Sequence, residues 1–358
     1  MKRLYRRFVT DPPLPPPGSF KDQTVVVTGG TTGLGLAAAT HFLALGAAKV
    51  VITCRNTARG EAARQKIEQA AKSSSSSSVH GVGRVEVVEL DMSSFDSCVA
   101  FVQTLKSRYA NGGRGVDVLV LNAGVIPYRF GTTDDGWNES LQVNTLATTL
   151  ITGLAVSWIR ECRGNRQDAA RVVLVSSGTH LAPNISSWPG VLARSEGGVL
   201  AHYNDEANWP GFNAMYAISK LLLMYAFEEL VKLAGVGKDG KPLVIVNSLC
   251  PGPVATDLSR DLTGKNPLLR PLLLIFKATQ TVGPDYGSRI YITTSKASGV
   301  ETHGRFLTWY QSEADYQKVA KKVLYSPEAR EVQAGVWKEI LSVLSAKSPE
   351  FAVAVRSG

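Results

Sequence analysis

The chain has 358 residues, 44% of them hydrophobic and 19% charged, with a formal net charge of +9. That balance excludes a disordered or fibrous chain and leaves ample apolar material for a core. Its four cysteines (Cys54, Cys98, Cys162 and Cys250) are scattered, with no C-x-x-C and no His/Cys cluster, which argues against a disulfide framework or a zinc site and suits a reducing compartment.

The N-terminal "MKRLYRR" is the densest basic run, and "DPPLPPPGS" follows it. With no apolar stretch behind it, this is not a secretory signal. Residues 1–19 read as a loosely ordered basic arm with a polyproline spacer; a targeting leader or a contact with anionic lipid are the alternatives. No basic cluster large enough for nucleic acid follows.

"TVVVT" (24–28) is apolar throughout, as a strand buried on both faces is. "LGLAAATHFLALG" (34–46) has helical apolar spacing and stops at Gly46. Between them, Thr28, Gly29, Gly33 and Gly35 form T-G-x-x-x-G-x-G, with Thr31, Thr32 and Leu34 among the glycines. Glycine lets the chain turn sharply, lets a pyrophosphate approach the backbone, and packs helix on strand. The helix then offers unpaired N–H groups and a positive dipole end to the anion.

"KVVIT" (49–53) is the second strand, followed by Cys54 and Arg55. An NAD-binding unit places a carboxylate near this point to hold the ribose hydroxyl. A guanidinium suits a 2′-phosphate instead, so the cofactor read here is NADP(H), with Asn56 and Thr57 as further polar contacts. A helix is expected from about Ala58 to Lys72, and the serine run 73–78 reads as a loop.

"RVEVVEL" (84–90), "VDVLVLN" (116–122), "RVVLVSS" (171–177), "LVIVNSL" (243–249) and "GRFLTW" (304–309) are the later strands. Helices are expected over Phe95–Tyr109, near Trp137–Arg160, and over 326–346 with Ser326 as N-cap; Asp134 and Asp135 are expected to cap the second of these. Residues 347–358 read as a tail. The alternation predicts one α/β domain over residues 20–346: a doubly wound parallel sheet of about seven strands with helices on both faces. No stretch is long enough to cross a membrane.

With these residues in view, the chain resembles the short-chain dehydrogenase/reductase family over roughly residues 20–345. It is most similar to the NADP-preferring branch related to retinol dehydrogenases, including fungal secondary-metabolism reductases. The glycine loop matches. "LDMSS" resembles the family's aspartate motif, which implies that Asp91, with Met92, lies beside the adenine. "LNAG" resembles N-N-A-G with Leu121 in place of the first Asn, which implies that Asn122, Ala123 and Gly124 line the cofactor. "CPGPVAT" implies Pro251, Gly252, Val254 and Thr256 near the nicotinamide.

The resemblance also implies a catalytic tetrad of Asn144, Ser177, Tyr216 and Lys220. Tyr216 would be the proton donor, Lys220 would touch both the tyrosine and the nicotinamide ribose, and Ser177 would hold the substrate oxygen. Asn144 would bend its helix and hold a water that links Lys220 to solvent. Ser177 stands 39 residues before Tyr216, farther than in compact members, and Ser176 stays open as an alternative. Tyr216 and Lys220 share a helix face at i, i+4, so the ammonium is expected to favour the phenolate. His180 and His202 lie in the insertion, where they are candidates to touch substrate, but a lone histidine is more often structural or exposed; Asp205 and Glu206 lack the histidines a metal site needs.

Residues 178–212, with Trp188, Tyr203, Trp209 and Phe212, and 257–285, with "NPLLRPLLLIF", return to the end of the sheet where ligands bind. Both are expected to line a deep apolar pocket for a bulky ketone, aldehyde or secondary alcohol, such as a polyketide, terpenoid, steroid or retinoid. Peripheral membrane contact of 268–276 is the other reading of the second segment. Segments 146–159 and 217–234 are apolar nearly all round and need cover, from the insertions or from a second subunit; a homodimer is expected. The main reading is thus a cytoplasmic NADPH-dependent carbonyl reductase. A cyclase or epimerase that keeps NADP(H) is the alternative, and an intact tetrad argues against a dinucleotide sensor without turnover.

Overall fold

The computed structural model describes residues 12–74, 83–109, 115–163, 168–194, 197–252, 254, 283–296 and 299–356. The first eleven residues of the arm, most of the serine run, Thr256 and nearly all of the 257–285 segment lie outside the described residues.

Seven parallel strands form one sheet in the order β3-β2-β1-β4-β5-β6-β7. They are β1 (Thr24–Val27), β2 (Lys49–Cys54), β3 (Arg84–Glu89), β4 (Val118–Leu121), β5 (Ala170–Val175), β6 (Val244–Cys250) and β7 (Phe306–Thr308). The chain steps outward from β1 to β3, then returns to place β4 against the other side of β1. That reversal opens a crevice beyond the carboxyl ends of β1 and β4.

The strands carry apolar side chains on both faces because both faces are covered. Val25, Val27, Val50, Ile52, Val118 and Val120 pack under α1 (Gly33–Ala44), α2 (Thr57–Ser74) and α8 (Pro284–Lys296). Val26, Val51, Leu119, Val172, Leu174 and Val246 face the other way. There they meet a core built with α3 (Phe95–Tyr109), α4 (Thr148–Arg163) and α7 (Phe212–Val231).

Five sequence expectations change in three dimensions. First, the helix predicted near 137–160 begins as a π-helical turn, Leu141–Ala147, and becomes regular only at Thr148. Second, Asp135 does not cap it. Its carboxylate accepts a 2.7 Å bond from the Phe95 N–H and caps α3, 40 residues upstream. Asn138 takes the local role, accepting from the Ser140 N–H at 3.0 Å. Third, residues 178–212 are largely ordered into a 3-10 turn (Gly178–Leu181), α5 (Trp188–Arg194) and α6 (Gly198–Asn204). Trp188 is buried in the core and donates to the Tyr203 hydroxyl at 3.1 Å, so Trp188 packs the domain.

Fourth, the stretch read as a tail folds. After α9 (Glu313–Ala320), a π-helical turn (Lys321–Tyr325) and α10 (Pro327–Lys347), the chain forms α11 (Pro349–Arg356). Ser326 caps α10 as expected, accepting from the Ala329 N–H at 3.1 Å. Fifth, the cover for the two all-apolar helices comes from this C-terminal segment. α10 lies on α7 and α11 lies on α4, so the argument from uncovered helix faces no longer calls for a second subunit. Among the described residues no helix is long and apolar enough to cross a membrane.

Candidate active site

A cleft of about 400 Å3 opens at the carboxyl ends of β1, β2, β4 and β5. The loop after β1 forms its floor. Gly29 and Gly33 adopt φ of +65° and +54°, which L side chains rarely take. A Cβ on Gly35 would stand 2.4 Å from the Gly29 carbonyl oxygen, so this position has no room for a side chain. Thr32, the N-cap of α1, makes no side-chain capping bond, and the first turn holds no acidic residue. The helix end therefore borders the cleft with no side-chain cap and no carboxylate beside it.

Hydrogen bonds stitch the loops of the crevice together. Buried Thr28 accepts through Oγ1 from the N–H groups of Asn122 (3.0 Å) and Ala123 (3.1 Å). Asn122 Nδ2 donates back to the Thr28 carbonyl at 2.8 Å. The Gly29 N–H donates to Thr53 Oγ1 at 3.1 Å, tying in β2. Leu121, which replaces the family's first asparagine, is buried in the core.

Of the residues singled out in the sequence, Gly29, Thr31, Thr32, Gly33, Leu34, Arg55, Asp91, Met92, Asn122, Ala123, Gly124, Tyr216, Lys220 and Pro251 border this cleft. Arg55 is exposed at the tip of β2. Asn56 accepts through Oδ1 from the Arg59 N–H at 3.0 Å within the first turn of α2. Asp91 accepts from the Ser93 N–H at 2.9 Å. Gly252 packs under the Trp309 indole, which donates to the Pro251 carbonyl at 2.8 Å. Val254 is buried against Gly287 of α8.

Asn144 sits within the π-helical turn, whose extra residue per turn swings its amide toward the loop after β4. Its Oδ1 accepts from the Val125 N–H at 2.9 Å; its Nδ2 donates to the Val125 carbonyl (2.9 Å) and to Ser219 Oγ (3.0 Å). Gly124 separates Asn144 from Lys220: a Cβ there would lie 3.2 Å from Asn144 Oδ1 and 3.8 Å from Lys220 Nζ.

Tyr216 and Lys220 rise from the first half of α7. Lys220 is 4% exposed, donates to the Val175 carbonyl at 2.8 Å, and lies 5.7 Å from the centre of the Tyr216 ring. Burial pulls its ammonium down to about 8. The expectation that this ammonium would draw the tyrosine down is not met in the protein alone. Burial dominates and raises the Tyr216 hydroxyl well above the ordinary phenol range; the nearby Cys250 adds to the rise, and a hydrogen bond with Ser177 opposes it.

The two candidate serines are set apart by their surroundings. Ser177 is the one whose hydroxyl acts on Tyr216, opposing the rise of its phenol, although it is not among the residues that border the cleft. Ser176 is buried, borders the cleft, and its hydroxyl has no hydrogen-bond partner among the described residues. Tyr291 was not legible as a site residue. It is buried on α8, borders the cleft, and donates to Asn122 Oδ1 at 3.0 Å. Thr53 and Glu139 also border the cleft without a local motif that would have named them.

The family model described as short chain dehydrogenase matches residues 23–188. The short-chain dehydrogenase/reductase phmF of Phaeosphaeria nodorum is 32% identical over 340 residues, covering 95% of this chain and 91% of its own length. The short-chain dehydrogenase/reductase ffsI of Aspergillus flavipes is 32% identical over 343 residues, with coverage of 95% and 91%. Among solved structures, L-sorbose reductase from Gluconobacter frateurii, complexed with NADPH and L-sorbose, superposes with a TM-score of 0.56 at 19% identity, covering 81% of this chain and 95% of its own. An uncharacterised protein from Mycobacterium paratuberculosis gives a TM-score of 0.58 at 22% identity, with coverage of 94% and 98%. These structural likenesses speak to the fold.

Proposed function

Because the chain belongs to the short-chain dehydrogenase/reductase family of oxidoreductases, we propose that it reduces a bulky hydrophobic ketone or aldehyde with NADPH. The observation that carries this reading is convergence: the glycine loop, Arg55, Tyr216 and Lys220 border one cleft. The glycine floor that excludes side chains, the uncapped end of α1 and the exposed guanidinium fit a dinucleotide bearing a 2′-phosphate. When bound, NADPH supplies the hydride that goes to the carbonyl carbon.

The residues of the chain then bind, orient and move a proton. Ser177 donates a hydrogen bond to the carbonyl oxygen and holds it beside Tyr216. As negative charge develops on that oxygen, the Tyr216 hydroxyl transfers its proton to it, leaving an alcohol and a phenolate. Burial keeps Tyr216 protonated at neutral pH, which is the form that reduction needs. Lys220, held by the Val175 carbonyl, would hold the ribose hydroxyls of the cofactor and stabilise the phenolate after transfer. Asn144 fixes the backbone between the two through Val125 and Ser219.

The test follows NADPH absorbance with phenanthrenequinone, menthone, acetophenone and decanal, comparing wild type with Tyr216→Phe. The expected result is a fall in kcat of about 10²-fold or more for every carbonyl that is turned over. Equal turnover by the variant, or no turnover of any carbonyl by the wild type, overturns the reading.

A further inference from the structure

We propose that the buried pair Tyr316–His180 is a positioning device that sets the direction of the Ser177 hydroxyl. The inference rests on the reading of Ser177 as the donor to the substrate oxygen; it gives His180 a role and adds Tyr316, which no sequence motif marked.

His180 is fully buried three residues after Ser177. Its Nδ1 lies 2.6 Å from the Ser177 carbonyl oxygen, and its Nε2 lies 3.1 Å from the Tyr316 hydroxyl. A carbonyl only accepts, so Nδ1 carries the proton and Nε2 is left to accept from Tyr316. The same carbonyl also accepts from the His180 backbone N–H at 3.1 Å, closing the 3-10 turn. Ser177 is thereby held extended, at φ −153° and ψ 144°, at the head of that turn.

The turn also determines what Ser177 does with its side chain. Its Oγ accepts from the Thr179 N–H at 3.3 Å and pairs with the Thr179 hydroxyl at 3.0 Å. With acceptor capacity filled from the Thr179 side, the serine proton points away, toward Tyr216 and the substrate oxygen. The imidazole is held in place by ring contacts with Phe306 (4.8 Å, edge-on) and Tyr316 (5.8 Å), and Tyr316 stacks on Phe306 at 4.7 Å. Burial keeps it neutral, pulled down to about 4, so the tautomer persists across the working pH range.

Tyr316 belongs to α9, and the π-helical turn that follows grips the tyrosine helix as well: the Tyr225 hydroxyl on α7 donates to the Val323 carbonyl at 2.8 Å. The C-terminal segment thus meets the serine turn through Tyr316 and His180, whereas its bond to α7 is at Tyr225, well beyond Tyr216 along that helix.

The test compares Tyr316→Phe, Tyr225→Phe, Ser177→Ala and the Tyr316→Phe/Ser177→Ala double variant, using the fastest carbonyl of the panel. Tyr316→Phe keeps the stacked ring and is expected to lower kcat about tenfold, since a small misplacement of a catalytic group is costly. Its affinity for NADPH should stay within about twofold of wild type. Tyr225→Phe loses a bond of the same brace away from the serine turn and should keep kcat within about twofold. In the Ser177→Ala background, Tyr316→Phe should cost no further kcat. A severe Ser177→Ala defect beside an unimpaired Tyr316→Phe overturns the proposal, as do equal kcat losses in Tyr316→Phe and Tyr225→Phe or additive losses in the double variant. An unimpaired Ser177→Ala removes the serine reading itself, and the proposal with it. Independently of any substrate, imidazole nitrogen NMR of histidine-labelled wild type, assigned with His180→Gln, should show the Nδ1–H tautomer. The opposite tautomer overturns the proposal even if Tyr316→Phe does not fold.

Discussion

His180 shows how one buried side chain couples stability to pH. Its pKa falls from an ordinary 6.5 to about 4 on burial, so between those values the unfolded chain binds a proton that the folded chain refuses. The folded state therefore has its full stability above about pH 6.5 and loses it progressively as pH drops toward 4, by an amount on the order of 3 kcal/mol. Thermal melts at pH 7 and pH 5 should show a wide gap for wild type and a narrower one for His180→Gln; equal gaps would contradict the assignment. Arg55 is the other residue whose role is local. With Asn56 engaged in the turn of α2, Arg55 is left as the group at the tip of β2 suited to a 2′-phosphate. Arg55→Ala should reduce the preference for NADPH over NADH about tenfold or more, read from the two binding constants by fluorescence titration. An undiminished preference would remove Arg55 from the site.

The elements owe their existence to short-range pattern and their placement to partners far along the chain. α4 illustrates the division. Its residues from Thr148 to Ile159 are all buried, which no amphipathic pattern would require of a surface helix. What covers one side is α11: the Phe351 ring lies against Gly153, where a Cβ would come within 2.4 Å of it. Glycine is needed in mid-helix here for that close approach, despite its poor helix propensity. Lys106 of α3 pairs with Glu350 at the start of α11 and fixes its entry. Phe351→Ala should destabilise the fold by about 3–5 kcal/mol, the cost of a cavity at a fully buried ring. Denaturant unfolding would reveal it as a lower midpoint, and a midpoint equal to wild type would show that α11 is dispensable.

At the scale of the whole molecule, stability and function occupy opposite edges of the sheet. The cleft lies at the carboxyl ends of the strands. At the amino ends, Asp117 Oδ1 accepts from buried Arg163 at 2.5 Å while its Oδ2 accepts from the Thr24 N–H at 2.8 Å. Arg163 also donates to the carbonyls of Val116 and Asp168, so the pair joins β1, the approach to β4 and the end of α4. Asp117→Ala leaves that guanidinium buried without its carboxylate, at a cost of about 3–5 kcal/mol. Affinity for NADPH, measured on the folded fraction, should be unchanged because the cleft is at the far edge. A coupled loss of affinity would show that the two edges are not independent.

The sequence by itself determined what short-range pattern can encode: the seven-strand alternation, the glycine turn between β1 and α1, Arg55 after β2, and the i, i+4 pairing of Tyr216 and Lys220. These follow from spacing along the chain, because backbone geometry converts a fixed spacing into a shared face or a required turn. Only the tertiary structure decided the rest. Tyr291 meets Asn122 across 169 residues, His180 meets Tyr316 across 136, and Asp135 caps a helix that precedes it. It also decided that the C-terminal helices cover α4 and α7, and that desolvation raises the Tyr216 hydroxyl where spacing alone led to the opposite expectation. Burial and long-range contact belong to the folded arrangement of many segments, so no local window of residues contains them.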